Sequence, residues 1–137
     1  MISEIEVKTS GELDIINITP LVEEVVRRSG VAKGMVFLFL KSTTSALIIN
    51  EDEEGLKSDL RETLETLIPR SRRYAHNRAW GEENAHSHLR SILLGNSLQI
   101  PLEGGRLMLG TWQSVFLVEL DVRPRTRKIV VSIIPLE

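Results

Sequence analysis

"SLQIPLEGGRLMLGTWQSVFLVELDVRPRTRKIVVSII" (residues 97–134) decides the fold class. Its apolar runs, "SLQIP", "GRLMLG", "SVFLVELDV" and "TRKIVVSII", are separated by turn residues, and Gly104-Gly105 is the clearest hairpin. Short apolar runs punctuated by glycine and proline read as consecutive strands, because glycine supplies the positive φ of a tight turn. Toward the N-terminus, residues 2–9 and 12–18 read as a hairpin about Ser10-Gly11. Thr19-Pro20 then opens a helix, with threonine as cap and proline at a position where its missing N–H costs nothing. Leu21, Val22, Val25 and Val26 form the stripe of that helix, and Ser29-Gly30 ends it. "GMVFLFLKS" (34–42) reads as a strand buried on both faces, followed by "ALIINE" (46–51) as a second strand or its continuation. Leu56, Leu60, Leu64, Leu67 and Ile68 give a second helix that Pro69 stops. Strands at both ends and two principal helices between them predict one α+β domain over residues 1–137, with a mainly antiparallel sheet.

The composition narrows the function classes. A chain of 137 residues with 42% apolar and 26% charged residues suits one globular domain. The net charge of −2 offers no general attraction to nucleic acid or to an acidic membrane surface. Without cysteine there is no disulfide, thiolate metal site or cysteine nucleophile. "MISEIEVKTSGELDI" lacks the apolar run of a leader or anchor, so a cytoplasmic protein with neither nucleic acid nor membrane as partner is expected.

All three histidines fall in "RSRRYAHNRAWGEENAHSHLRS" (70–91). From Arg70 to about Ala85 no apolar stripe of either period is present, and loops of this length in compact domains are usually functional or disordered. "HLRSILLG" after it reads as a short helix closed by Gly95. His86 and His88 form an H-x-H pair, which shares a face on a strand and on a loop can converge on zinc at about 2.0–2.1 Å. His76 supplies a third nitrogen and leaves a position open for water or substrate. The same imidazoles also suit a general base or a buried hydrogen-bonding role.

"ELDVRPRTR" (119–127), if extended, places Glu119, Asp121, Arg123, Arg125 and Arg127 on one face. Its arginine end suits phosphate or pyrophosphate, which a guanidinium fork grips bidentately; the alternative is a solvated face paired with opposite charges on a neighbouring strand. In "LGTWQS" (109–114), Trp112 suits a core or an interface, and a buried Gln113 would need partners in a pocket. "KSTTSA" (41–46) offers hydroxyls after a buried strand. The Walker loop, G-x-G-x-x-G and G-x-S-x-G are all absent.

The order of the motifs adds a resemblance. "ITPLVEEVVRRSGVAKG", "STTSALIINEDEEGLKSDL", "YAHN", "NAHSHLRSILLGNSLQIPLEGGRLMLGTWQ" and "VELDVRPRTRKIVV" follow one another along nearly the whole chain. Together they resemble the YjbQ-like family, whose members have been assigned a secondary thiamine-phosphate synthase activity. The resemblance implies a compact α+β fold of YjbQ-like type, a homotrimer and a site near subunit boundaries. It also implies a weak transferase reaction, in which a pyrimidine pyrophosphate joins a thiazole phosphate and pyrophosphate is released. His76 matches the histidine of Y-x-H, and His88 the histidine before the apolar residue. Asn50-Glu51 matches N-E, Gly110 to Gln113 match G-T-W-Q, and Glu119 and Arg125 fall in the acidic-then-basic strand.

The chain departs from the family at Ser42-Thr43-Thr44, where H-T-T or H-T-S is usual. We therefore expect His86 to replace the missing histidine, so that His76, His86 and His88 hold a divalent ion, zinc or magnesium. In the enzyme reading His76 and His88 are catalytic, Arg125 holds phosphate, and Thr43, Thr44, Asn50, Glu51, Thr111, Trp112 and Gln113 bind a phosphorylated small molecule. The alternative is a non-catalytic homotrimer that binds a metal or a metabolite.

Overall fold

The computed structural model describes residues 1–81 and 83–137, apart from the side chain of Trp80. In chain order the elements are β1 (Ile2–Lys8), β2 (Ile15–Asn17), α1 (Thr19–Ser29), β3 (Gly34–Leu40), β4 (Ser45–Asn50) and α2 (Glu54–Leu67). There follow α3 (Ala75–Trp80), α4 (Ala85–Leu94), β5 (Ser97–Glu103), β6 (Arg106–Leu107), β7 (Ser114–Glu119) and β8 (Thr126–Pro135). The class is α+β, and every strand pairing is antiparallel. The strands divide between a large sheet, β1-β8-β3-β5-β6, and a small one, β2-β7-β4.

Period-2 alternation explains why the two sheets stack. Val36, Leu38 and Leu40 of β3, Ile129, Val131 and Ile133 of β8, and Ile100 and Leu102 of β5 face inward. They meet Leu47 of β4, Val115 and Leu117 of β7, and the α1 stripe Val22, Val25 and Val26. Each such side chain contributes about 1.5–3 kcal/mol when fully buried. The other face of the small sheet carries Ile15, Ala46, Phe116 and Val118, covered by Leu64 of α2 with Leu60 and Leu94. Gly34 lies against the Ile134 carbonyl, where a Cβ would collide with backbone.

Several local expectations fail, each for a physical reason. The N-terminal strands do not form a hairpin: β1 pairs with β8 and β2 with β7. Gly11 (φ 137°) and Leu13 (φ 62°) carry the chain from the large sheet to the small one, and the Leu13 N–H donates to the Glu119 carbonyl. Thr19 does not cap α1. The cap position is Ile18, Asn17 Oδ1 accepts the Thr19 N–H at 3.0 Å, and the Thr19 hydroxyl accepts the Val115 N–H at 2.8 Å. β3 buries one face only, leaving Met35 and Phe37 half-buried and Phe39 exposed on the outside. Residues 119–127 do not form one strand, because the chain leaves the small sheet at Glu119 and enters the large one at Thr126.

The segment expected to lack regular structure contains α3, and α4 starts at Ala85 rather than at His88. Its polarity explains the miss. α4 buries His86, Ser87, Arg90 and Ser91 while exposing Leu89, Ile92 and Leu93, the reverse of a surface helix. Among the described residues no helix is long and apolar enough to cross a membrane.

Candidate functional site

Three segments far apart in sequence converge at one end of the small sheet. The first is the turn from β3 to β4. Ser42 Oγ accepts the Thr44 N–H at 3.1 Å and bonds the Ser45 hydroxyl at 2.6 Å, which curls residues 42–45 tightly and leaves Thr43 exposed. The second is α4, which presents His88, preceded by Asn84. The third is the bend from β7 to β8, which carries Asp121 and Arg125. These three segments line one cavity of about 690 Å³, together with Lys41, Asn96 and Arg127.

Beneath the cavity lies a buried ionic network. The Glu119 carboxylate, fully buried, accepts from Arg127 Nε at 2.9 Å and Nη2 at 2.5 Å, from the Thr9 hydroxyl at 2.7 Å and from the Asp121 N–H at 3.0 Å. Arg127 Nη2 also donates to Thr44 Oγ1 at 2.8 Å, and that hydroxyl donates to Asp121 Oδ2 at 3.1 Å. Asp121 in turn holds Arg125 through Nε at 3.1 Å and Nη2 at 2.8 Å. Every carboxylate oxygen of the pair is thus satisfied, the condition on which buried charge is tolerated. Burial raises the Asp121 pKa, but the Val122 N–H, Arg125 and Thr44 outweigh it, so the carboxyl titrates below its ordinary value. Arg125 Nη1 makes no hydrogen bond among the described residues, and the side chain is about one-third exposed toward the cavity.

The histidines do not gather as a trio. His76 and His88 meet edge-on with ring centroids 4.6 Å apart. His86, two residues before His88 on the same helix, points to the opposite side, because consecutive helical residues are turned by about 100°. It is fully buried with Nε2 3.0 Å from Glu12 Oε1, and Nδ1 has no partner among the described residues. Among the described residues no group of three or more histidine or carboxylate side chains could hold a metal ion. A closed or catalytic zinc centre needs three or four protein ligands, and the described residues of one chain bring only His76 and His88 together, with His86 turned away toward Glu12.

The remaining expected binding residues lie at the other end of the small sheet. Thr44 and Asn50 are separated by the length of β4, about 20 Å at roughly 3.3 Å per residue. Asn50 Oδ1 accepts the Glu51 N–H at 2.8 Å, and both residues border a shallow apolar hollow of about 280 Å³ with Lys57 and Phe116. Gln113 closes its own turn: its Oε1 accepts the Gly110 N–H at 2.7 Å, and its N–H donates to the Gly110 carbonyl at 3.0 Å. Thr111 is exposed, and Trp112 is 73% exposed at the tip of that turn. The structure therefore brings together Thr43, Thr44, His76, His88 and Arg125, and leaves Asn50, Glu51, Thr111, Trp112 and Gln113 elsewhere. Sequence reasoning missed Asn84, Asn96 and Lys41 at the cavity. Asn84 had a usable signal, since an asparagine before a helix is a standard cap residue, but only once α4 is started at Ala85.

Comparison with known proteins agrees with this architecture. A family model described as UPF0047 protein YjbQ-like matches residues 3–136. A UPF0047 protein of Methanothermobacter thermautotrophicus is 43% identical over 130 residues, covering 95% of this chain and 89% of that one. One from Archaeoglobus fulgidus is 43% identical over 129 residues, covering 94% and 98%. Among solved structures, a hypothetical protein from Aeropyrum pernix K1 superposes with a TM-score of 0.92 at 33% identity, covering 99% of both chains. A YjbQ/UPF0047 family protein from Clostridium acetobutylicum gives 0.87 at 38% identity, covering 96% and 99%.

Proposed function

The chain belongs to the UPF0047 YjbQ-like family, and from that premise we propose that its cavity binds a phosphorylated small molecule and supports a weak group transfer that releases pyrophosphate. The thiamine-phosphate synthase reaction, joining a pyrimidine pyrophosphate to a thiazole phosphate, is the case the resemblance implies. One observation carries the reading: Arg125, His88 and the Ser42–Thr44 turn, from three distant segments, line a single cavity. In such a reaction the chief difficulty is the negative charge that develops on the departing pyrophosphate. Arg125, held from behind by Asp121, offers its free Nη1 edge to those oxygens, with Thr43 at the rim. His88, braced edge-on by His76, supplies the proton to the leaving oxygen. Thr44 acts from beneath, since its hydroxyl is spent on Asp121 and Arg127. Magnesium, which takes one or two carboxylates together with substrate phosphates, would be held on the protein side by Asp121, the carboxylate that lines the cavity, and would neutralise part of the departing charge.

The same proposal includes a homotrimer. What supports it is that Phe39 lines the cavity and also belongs to the apolar outer face of the large sheet with Met35, Phe37 and Ile134, a face suited to a second copy. A second reading, a binding protein without turnover, draws on Ser42: at the family's histidine position, its hydroxyl is consumed by its own turn.

Calorimetric titration with pyrophosphate tests the binding step. Arg125→Ala is expected to weaken affinity by about tenfold or more, the worth of a charge-assisted contact. Unchanged affinity sinks the assignment of this cavity. Product formation from the two thiamine precursors, lost in His88→Ala, separates the enzyme from the binding protein. Turnover that is absent in the wild type and gained in Ser42→His favours the second reading.

A further inference from the structure

We propose that the groove lined by Arg70, Arg72, Arg73 and Arg78 is a second anion-binding subsite, continuous with the cavity and taking a phosphate at the far end of the same substrate. The inference rests on the reading of the cavity given above. The groove has a volume of about 670 Å³ and is bordered also by Tyr74 and Asn77. Its frame is fixed to the helix that carries His88: Asn77 Oδ1 accepts the Ala85 N–H at 2.9 Å, and the Tyr74 hydroxyl donates to the Pro69 carbonyl at 2.6 Å. The Arg72 guanidinium lies 5.6 Å from the centroid of the Tyr74 ring, which limits where it can swing.

Ion pairing is sparse in this groove, as it is at Arg61, Arg106 and Arg123, which also meet no carboxylate among the described residues. Arg27, Arg90, Arg125 and Arg127 each have a carboxylate oxygen within about 3 Å. Arg72, Arg73 and Arg78 make no ion pair among the described residues, and the nearest carboxylate oxygen to Arg70 is 3.8 Å away, on Glu12. Among the described lining residues four guanidiniums face one carboxylate, Glu83, and the excess positive charge is a cost an anionic ligand removes. The planar guanidinium fork is matched to phosphate oxygens.

Shared walls connect the groove to the cavity. Arg70 and Glu83 border both the groove and a smaller hollow of about 350 Å³, whose other walls include Asn84, Asp121 and Arg123. Asn84 and Asp121 in turn border the cavity with His88 and Arg125. Asn84 stands at the junction, 7% exposed, and its Oδ1 has no donor among the described residues. A ligand spanning the two hollows with a hydroxyl or N–H at that point satisfies it. The substrate class that follows is an elongated molecule with a phosphate at each end and a hydrogen-bond donor between them.

Titration calorimetry with inorganic pyrophosphate tests this on the intact protein. The wild type is expected to take up two pyrophosphates per chain, the double variant Arg72→Ala/Arg73→Ala one, and Arg125→Ala one. Both replaced groove arginines are exposed, and an unshifted thermal midpoint of the double variant confirms that its fold is intact. A single site in the wild type, untouched by the double variant and lost in Arg125→Ala, overturns the groove while leaving the cavity reading in place. A single site lost only in the double variant overturns the cavity reading, and with it a substrate that spans both. A single-stranded oligonucleotide that binds the groove and displaces pyrophosphate only from it overturns a small-molecule subsite in favour of a nucleic-acid surface.

Discussion

The two ends of the small sheet hold similar side chains and do opposite things with them. At one end Thr44, Glu119 and Asp121 are buried, and their bonds run outward through Arg125 toward a cavity. At the other end the Asn50 and Gln113 amides accept N–H groups of their own turns, at Glu51 and Gly110, and Trp112 stands in solvent. A carboxylate or an amide is thus not a binding group by type. It becomes one when burial forces it to find partners and those partners are left pointing at open space.

The largest effect expected from this contrast is at the buried end. Glu119→Ala strands the Arg127 charge in a nearly dry position, and urea unfolding is expected to report a loss of about 3–5 kcal/mol. A loss as small as that of an exposed surface pair would mean that the network is not the anchor of this end. Asp121→Asn comes next, at roughly 2–3 kcal/mol for a charged hydrogen-bond acceptor, accompanied by weaker pyrophosphate binding because Arg125 loses its brace. The same variant has a pH signature. The folded carboxyl titrates below its unfolded value near 3.8, so its contribution is complete above that pH and is lost as pH falls below it toward the folded value. Wild type should therefore lose stability over that acid range more steeply than Asp121→Asn. Parallel curves would remove Asp121 from the network.

His86→Ala is expected to cost about 2 kcal/mol by removing the buried hydrogen bond to Glu12, with the metal content of the purified protein unchanged. A drop in bound metal would return His86 to the ligand set. The smallest effect belongs to the far end: Gln113→Ala opens an exposed turn at a cost of about 0.5–1 kcal/mol and leaves pyrophosphate affinity unchanged. A loss of binding there would show that the two ends meet, across copies of the chain.

Much of this was legible from residues alone, where burial follows pattern. Val22, Val25 and Val26 of the α1 stripe are buried as their spacing predicts, while Leu21 is exposed, and α2 ends at Leu67, two residues before Pro69. The pairing of the N-terminal strands was not legible, because Ser10-Gly11 marks a bend without saying which strand the chain meets next. α4 was legible only in part, since its inward face is His86, Ser87, Arg90 and Ser91, and a polar interior has no hydrophobic periodicity to read. The site followed the same division. His76, His88 and Arg125 were singled out by motif and lie close together in the fold, whereas Asn84 acquires meaning only once a helix begins beside it. His86 and His88 were linked by spacing, and helical geometry separates them.

The separation of β1 from β2 also imposes an order of events on the chain as it is synthesised. Ile2 finds its partner in Ser132 and Ile15 in Val118, so neither N-terminal strand can pair when it leaves the ribosome. β8 sits between β1 and β3, and until it emerges the large sheet lacks the strand that joins its first strand to the rest. Such distant pairings fold slowly and leave strand edges exposed in the meantime. The charged residues that alternate along β1, Glu4, Glu6 and Lys8, keep that waiting edge from joining another chain.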